Sequence, residues 1–191
     1  DERVLIPRPE TEELVQQVVA AAEEGNSILD LCTGSGAIAV AVYKELEKNK
    51  RKASVTASDI SEEALALAKE NAEENGADIA FVQSDLFSRI RGRFDIIVCN
   101  PPYIPSGDIA GLQREVRDFE PRLALDGGAD GLDYYRRIAE DAGKYLVRGG
   151  MLVMEVGLGE AESVVKLFRY CDYSMVVKDF NGIDRFVKIV F

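Results

Sequence analysis

The sequence predicts an α/β fold: one doubly wound domain on a seven-stranded, mostly parallel sheet that ends in an antiparallel C-terminal hairpin. Three observations carry this. Segments with apolar residues at helical spacing alternate with short β-rich runs along the whole chain, the pattern of a parallel sheet covered on both faces. A glycine-containing turn, Cys32-Thr33-Gly34-Ser35-Gly36, leads from the first strand into a helix. The last two strands are separated only by Phe180-Asn181-Gly182-Ile183-Asp184, too short for a helix, so they pair as a hairpin. With 191 residues, 47% of them hydrophobic, the chain has the length of one domain with a core able to stand alone.

The elements follow in order. A lead-in punctuated by Pro7 and Pro9 reads as extended, after which Leu14, Val15, Val18, Val19 and Ala22 recur at helical spacing up to Gly25. Strand one is 27–31 and its helix 37–49. Strand two, 53–58, closes on Asp59; Ser61 caps the next helix, whose first turn holds Glu62 and Glu63, acids that suit a positive helix end. Strand three is 79–82. Strand four, 94–99, stops at Asn100-Pro101-Pro102, because proline lacks the amide a sheet ladder needs. Residues 104–131 are rich in turn residues and weak in periodicity, and a connection that long commonly borders a site. A helix over 132–147, strand five over 151–156, a helix over 160–170, and strands six and seven over 173–179 and 185–191 complete the chain. Residues 1–191 are expected to form one domain, with 1–26 bordering the site.

Composition narrows the chemistry. There are 23 basic and 34 acidic residues, a net charge of −11, which repels phosphate backbones unless the basic residues segregate to one face. The cluster Lys48, Lys50, Arg51 and Lys52 follows Glu45 and Glu47 at a helix end and reads as a solvated terminus. No apolar run approaches the ~20 residues of a bilayer span. Three cysteines without CxxC spacing suggest reduced thiols in a cytoplasmic protein. Histidine is absent, which removes histidine general bases, Ser-His-Asp triads and histidine-ligated metal sites; no metal is expected. The sequence opens at Asp1 without methionine, as a piece of a longer protein would.

The chemistry gathers at four strand ends. Gly34-x-Gly36-x-x-Ala39 at a strand-to-helix turn lets backbone amides approach a ligand, and Asp59 stands where a carboxylate would accept from both hydroxyls of a ribose. Read alone, the glycines fit a dinucleotide fingerprint, against which stands a tight strand-to-helix turn, and Asp59 could instead serve as a cap before Ser61. Asp85 ends a third strand and could accept from an adenine amino group. In Asn100-Pro101-Pro102-Tyr103, two prolines stiffen the backbone, so the Asn100 side-chain carbonyl and the Pro101 main-chain carbonyl become fixed acceptors for one NH2 group. Holding both protons places the nitrogen for attack, and bonds that improve as it becomes tetrahedral favour the transition state. Tyr103 offers a flat face for stacking. Asn-Pro would also simply terminate a strand.

Asp30-Leu31-x-Thr33-Gly34-Ser35-Gly36, the strand-two acid, Ser84-Asp85-Leu86-Phe87 and Asn100-Pro101-Pro102-Tyr103 together resemble the S-adenosylmethionine-dependent methyltransferases of the seven-stranded, Rossmann-like type. More narrowly, Pro7-Arg8-Pro9-Glu10-Thr11-Glu12-Glu13-Leu14 and Glu120-Pro121-Arg122-Leu123-Ala124-Leu125 are similar to the peptide chain release factor N5-glutamine methyltransferases, over essentially the whole chain. The resemblance implies methyl transfer to the glutamine amide of the Gly-Gly-Gln loop of release factors, the protein partner, without direct nucleic-acid binding. It implies cofactor contacts from Asp30 and Ile60, from Cys32, Thr33, Gly34, Ser35 and Gly36 at the methionine end, from Asp59 at the ribose, from Asp85 and Leu86 at the adenine, and from Asn100 beside the sulfonium. It also implies Asn100, Pro101 and Tyr103 in catalysis and Asn100, Pro101, Pro102 and Tyr103 in substrate binding. Cys32 stands where this family usually has glycine, and the family's small N-terminal helical domain has no counterpart here.

Two rivals use the same acceptor pair: a glutamine methyltransferase of a ribosomal protein, and an amino-methyltransferase of nucleic acid, which would ordinarily need a basic groove and aromatic platforms. A non-catalytic nucleotide-binding module and an NAD oxidoreductase stand further off. Replacing Asn100 with Ala is expected to lower turnover by ~100-fold or more while leaving cofactor affinity nearly unchanged; steady-state kinetics with calorimetry on S-adenosylhomocysteine checks this, and unchanged turnover refutes the assignment.

Overall fold

The computed structural model describes residues 2–191, and Asp1, inside the expected domain boundary, lies outside them. The strands are β1 (Ser27–Leu31), β2 (Ser54–Asp59), β3 (Ile79–Gln83), β4 (Phe94–Cys99), β5 (Leu146–Glu155), β6 (Tyr173–Lys178) and β7 (Asp184–Val190). They form one sheet in the order β3-β2-β1-β4-β5-β7-β6. β3 through β5 pair in parallel, whereas β7 runs antiparallel to both neighbours. The expected hairpin is therefore present, with its second strand inserted between β5 and its first. The chain winds from β1 outward to β3, then returns to place β4 on the other side of β1. At that reversal the connections leave in opposite directions and open a crevice at the strands' carboxyl ends.

Alternation along each strand divides the core in two. Ile28, Ile96, Val98, Val153 and Phe186 meet α1 (Pro9–Ala21) and α2 (Ala37–Lys48) on one face. Leu29, Leu31, Ile97, Cys99, Leu152, Met154, Val187 and Ile189 meet α5 (Asp133–Tyr145) and α6 (Ala161–Val165) on the other. α3 (Glu62–Glu74) lies beside α2 against β2 and β3 and is capped as expected, Ala64 N donating to Ser61 Oγ at 3.2 Å.

Several boundaries differ from the sequence expectation. Pro9 opens α1 instead of extending the lead-in, because proline's fixed φ and missing amide suit a first helical position. α6 ends at Val165, not Tyr170: Leu167 N and Phe168 N bond three residues back, to Val164 and Val165, so the last turn tightens and carries Phe168 edge-on to Phe191. β5 begins at Leu146, directly after α5, and its register with β4 is irregular between Phe94 and Ile96. The connection 104–131 is ordered by local turns and by a short helix, α4 (Arg114–Arg117), and it returns on itself where Ile104 bridges Asp126.

α2 and α3 approach closely at Gly36, the N-cap of α2. Its φ is +78°, and a Cβ there would come within 3.0 Å of Ala68 Cβ and 3.2 Å of Ala68 Cα. Gly36→Ala adds both backbone strain and an unrelieved contact with helix backbone, and is expected to destabilise the protein by ~1–3 kcal/mol, read from denaturant unfolding.

Candidate functional site

The crevice is a cavity of about 360 Å³ over the carboxyl ends of β1 to β5. At its centre, the chain leaving β1 turns through Cys32 at φ +57°, Gly34 at +54° and Gly36 at +78°. Glycine adopts this left-handed backbone freely, whereas an L side chain pays roughly 1–2 kcal/mol. Cys32 adopts it nonetheless, with its side chain packed against the α5 face of the core. Gly34 lines the cavity, and a Cβ on it would meet no protein atom within 4 Å, so the turn presents open backbone to the cleft.

Asp30 holds this turn from below. Its buried Oδ2 accepts from Thr33 Oγ1 at 2.5 Å and from Ala39 N at 3.2 Å, tying the loop to the first turn of α2, while Oδ1 is buried with no partner among the described residues. Burial pushes the carboxyl up to about 7, against the opposing effect of those two bonds. Neither Asp30 nor Gly36 lines the cavity. Both had been expected at the cofactor; Asp30 is beneath the loop, and Gly36 serves helix packing.

The other strand-end acids face the cleft. Asp59 accepts Gly34 N at 2.9 Å on one oxygen and Ser61 N at 3.0 Å on the other. Two backbone amides thus fix the fork while each oxygen keeps capacity for a further donor. Ile60 lies beside it, half exposed, with its carbonyl accepting from Gln83 Nε2. Asp85 is engaged at 2.7 Å by Arg137 Nη2 in an exposed pair, and Leu86 takes a left-handed φ of +47° with its carbonyl accepting from Ser84 Oγ at 2.6 Å. Tyr134, beneath the Arg137 guanidinium at 5.9 Å, adds an aromatic wall that the sequence reading missed.

Beyond β4, Asn100, Pro101, Pro102 and Tyr103 all line the cavity. Among the described residues, nothing hydrogen-bonds the Asn100 side chain or the Pro101 carbonyl, so both acceptors remain available. The Tyr103 hydroxyl donates to Glu155 Oε1 at 3.2 Å. Glu155 ends β5 as Asp59 ends β2; that shared position was the signal by which it could have been found.

The two flanking segments meet over the cleft. Arg8 Nη2 donates to Glu120 Oε1 at 2.6 Å, joining positions 112 residues apart, and the Glu120 side chain is only 3% exposed. Pro7, Arg8 and Thr11 from one side and Val116, Pro121 and Leu123 from the other line the same cavity. Among the described residues no cluster of metal-ligating side chains occurs.

A buried acid whose folded pKa is raised binds its proton more tightly folded than unfolded, so its ionisation costs stability as pH rises. With Asp30 lifted from 3.8 to about 7, folding is expected to be stronger at pH 6 than at pH 8 by on the order of 1 kcal/mol from this group, and Glu155 adds in the same sense. Asp30→Asn should shrink the difference; denaturant midpoints at the two pH values check it.

Residues 9–114 match the family described as Methyltransferase small domain. The release factor glutamine methyltransferase of Geobacter sulfurreducens is 47% identical over 188 residues, covering 96% of this chain and 64% of that protein. That of Streptococcus pneumoniae is 51% identical, covering 88% and 60%, and that of Lactococcus lactis 44% identical, covering 99% and 70%. The chain thus spans under two thirds of the first two relatives. In fold it is similar to the E. cuniculi Mtq2-Trm112 complex, described as responsible for methylation of the eRF1 translation termination factor, with a TM-score of 0.68, 20% identity and 98% of each chain covered. It is also similar to the T. thermophilus 16S rRNA methyltransferase RsmC in complex with AdoMet and guanosine, with a TM-score of 0.68, 16% identity, and 97% and 43% covered. By family match and sequence identity, the chain belongs to the Methyltransferase small domain family and to the release factor glutamine methyltransferases.

Proposed function

We propose that this domain transfers a methyl group from S-adenosylmethionine to the side-chain amide nitrogen of glutamine in the Gly-Gly-Gln motif of a peptide chain release factor. The observation that carries the reading is the pair of unclaimed acceptors, Asn100 Oδ1 and the Pro101 carbonyl, beside an open glycine turn in one cleft. The site's free groups suit the cofactor. The Asp59 fork has room for a ribose diol, the backbone from Cys32 to Ser35 is open for the methionine end, and Asp85, Leu86 and Tyr134 frame a space for a flat base. When bound, the sulfonium supplies an electrophilic methyl group.

An amide nitrogen is a weak nucleophile because its lone pair is delocalised into the carbonyl, so the residues must contribute by placement; good orientation is worth ~7–11 kcal/mol of barrier. Asn100 and Pro101 accept the two N–H bonds, Pro102 keeps that backbone stiff, and Tyr103 supplies a flat wall. As the nitrogen forms its new bond to carbon it becomes tetrahedral and loses amide conjugation, and the two acceptors hold its protons through that change. The surplus proton then passes to water.

The net charge of −11 favours a protein acceptor with a basic loop over nucleic acid. Among the described residues no helix is long and apolar enough to cross a membrane. Purified protein with labelled S-adenosylmethionine is expected to label a release factor, to leave its glutamine-to-alanine variant unlabelled, and to ignore duplex DNA. Label on a ribosomal extract or nucleic acid with none on release factor would reverse the substrate assignment.

A further inference from the structure

We propose that Glu155 is a positioning residue: from the floor of the cleft it locks the ring of Tyr103 into the orientation against which the acceptor amide is held. The inference rests on the reading of residues 100–103 as the acceptor site and extends that site to another strand.

Tyr103 is held at both ends. Its hydroxyl donates to Glu155 Oε1 at 3.2 Å. Its backbone is clamped by two glycines of the returning loop: a Cβ on Gly127 would come within 2.7 Å of Tyr103 Cα, and one on Gly131 would strike the Tyr103 carbonyl. A tyrosine with its backbone wedged and its hydroxyl pinned has little rotamer freedom left. Glu155 is itself immobile. It is 2% exposed, is the last residue of β5, and pairs in register with Phe186 of β7, while its carbonyl accepts from Tyr135 OH at 2.9 Å.

A carboxyl is a costly way to fill that place if packing alone were needed. Among the described residues its Oε2 is buried with no hydrogen-bond partner, a loss that an apolar side chain would avoid, and the one side-chain bond the carboxyl makes goes to the acceptor-site ring. The charged and titratable groups around it are Tyr103, Tyr135, Arg185 from β7, Arg8 from the lead-in and Glu10 from the first turn of α1. Burial, offset in part by the Tyr103 bond and Arg185, lifts the Glu155 carboxyl to about 7, so its ability to accept from Tyr103 varies across the neutral range.

The test compares wild type with Glu155→Gln, Glu155→Ala, Tyr103→Phe and the Tyr103→Phe/Glu155→Ala pair, using intact release factor and S-adenosylmethionine. Glu155→Gln keeps an acceptor oxygen and is expected to hold turnover within about 5-fold, whereas Glu155→Ala should lower kcat by ~10–100-fold, as a misplaced wall does, with S-adenosylhomocysteine affinity nearly unchanged. In the Tyr103→Phe background, Glu155→Ala should cost little more, because the bond is already gone. Losses that multiply, or that track cofactor affinity, overturn the inference. Tyrosine-ring NMR of the free protein decides it without any acceptor: the Tyr103 signal, assigned by its absence in Tyr103→Phe, should move with pH near 7 in wild type and stay flat in Glu155→Gln. A Tyr103 signal indifferent to both pH and Glu155→Gln also overturns it. If wild type labels no release factor, the proposed function falls, and the NMR comparison still rules on Glu155.

Discussion

Everything in the cleft depends on β4 ending where it does. Two successive prolines cannot donate to a neighbouring strand, so the chain leaves the sheet beside the strand-order reversal, with its carbonyls unclaimed by a ladder. A parallel sheet supplies the rest of the constraint. Its register sets the tips of β1, β2, β3 and β5 in a row, and the side chains just past those tips share one crevice. The residues of the site come from positions more than a hundred apart in sequence, yet each needs only to follow a strand.

The two halves of the cleft, proposed to take the cofactor and the acceptor, are held differently. Around the glycine turn, the holding is by carboxyl hydrogen bonds: buried Asp30 grips Thr33 and Ala39 from below, while Asp59, at the cleft, takes the amides of Gly34 and Ser61. Around the acceptor pair, it is by steric wedging, with Pro101 and Pro102 stiffening one segment and Gly127 and Gly131 closing on the Tyr103 backbone. The lead-in and the returning loop roof both halves, joined through Arg8 and Glu120. Removing the arginine would leave a buried carboxyl without its partner, which costs more than breaking a surface pair.

The strand order's consequence is legible because each candidate residue follows a β-rich run that announces its own end: the sequence alone places Asp59, Asp85 and Asn100 on one edge. What the sequence concealed is pairing across distance. Nothing local in Glu155 separates it from other strand-end acids, and Tyr134 looks like one more face of an amphipathic helix. The Arg8–Glu120 bond links two motifs that the sequence could only set side by side. Gly36 has a packing role that the sequence hides for a related reason: glycine at a turn signals a close ligand or a close helix, and the approach of Ala68 shows the helix. The overlong expectation for α6 came from a helical period that continues past Val165, while the backbone tightens to bring Phe168 into the core.

The inserted position of β7 has a bearing on biosynthesis. Until residues 184–190 emerge, β5 presents an unpaired edge, and Glu155, whose partner in the ladder is Phe186, has no lateral support on that side. Among the described residues β6, made earlier, has no other strand to join, since its neighbour is β7. The sheet beneath Tyr103 is therefore complete only once residues 184–190 are made, and a product released before them would keep the glycine turn and its acids without a finished sheet beneath the tyrosine.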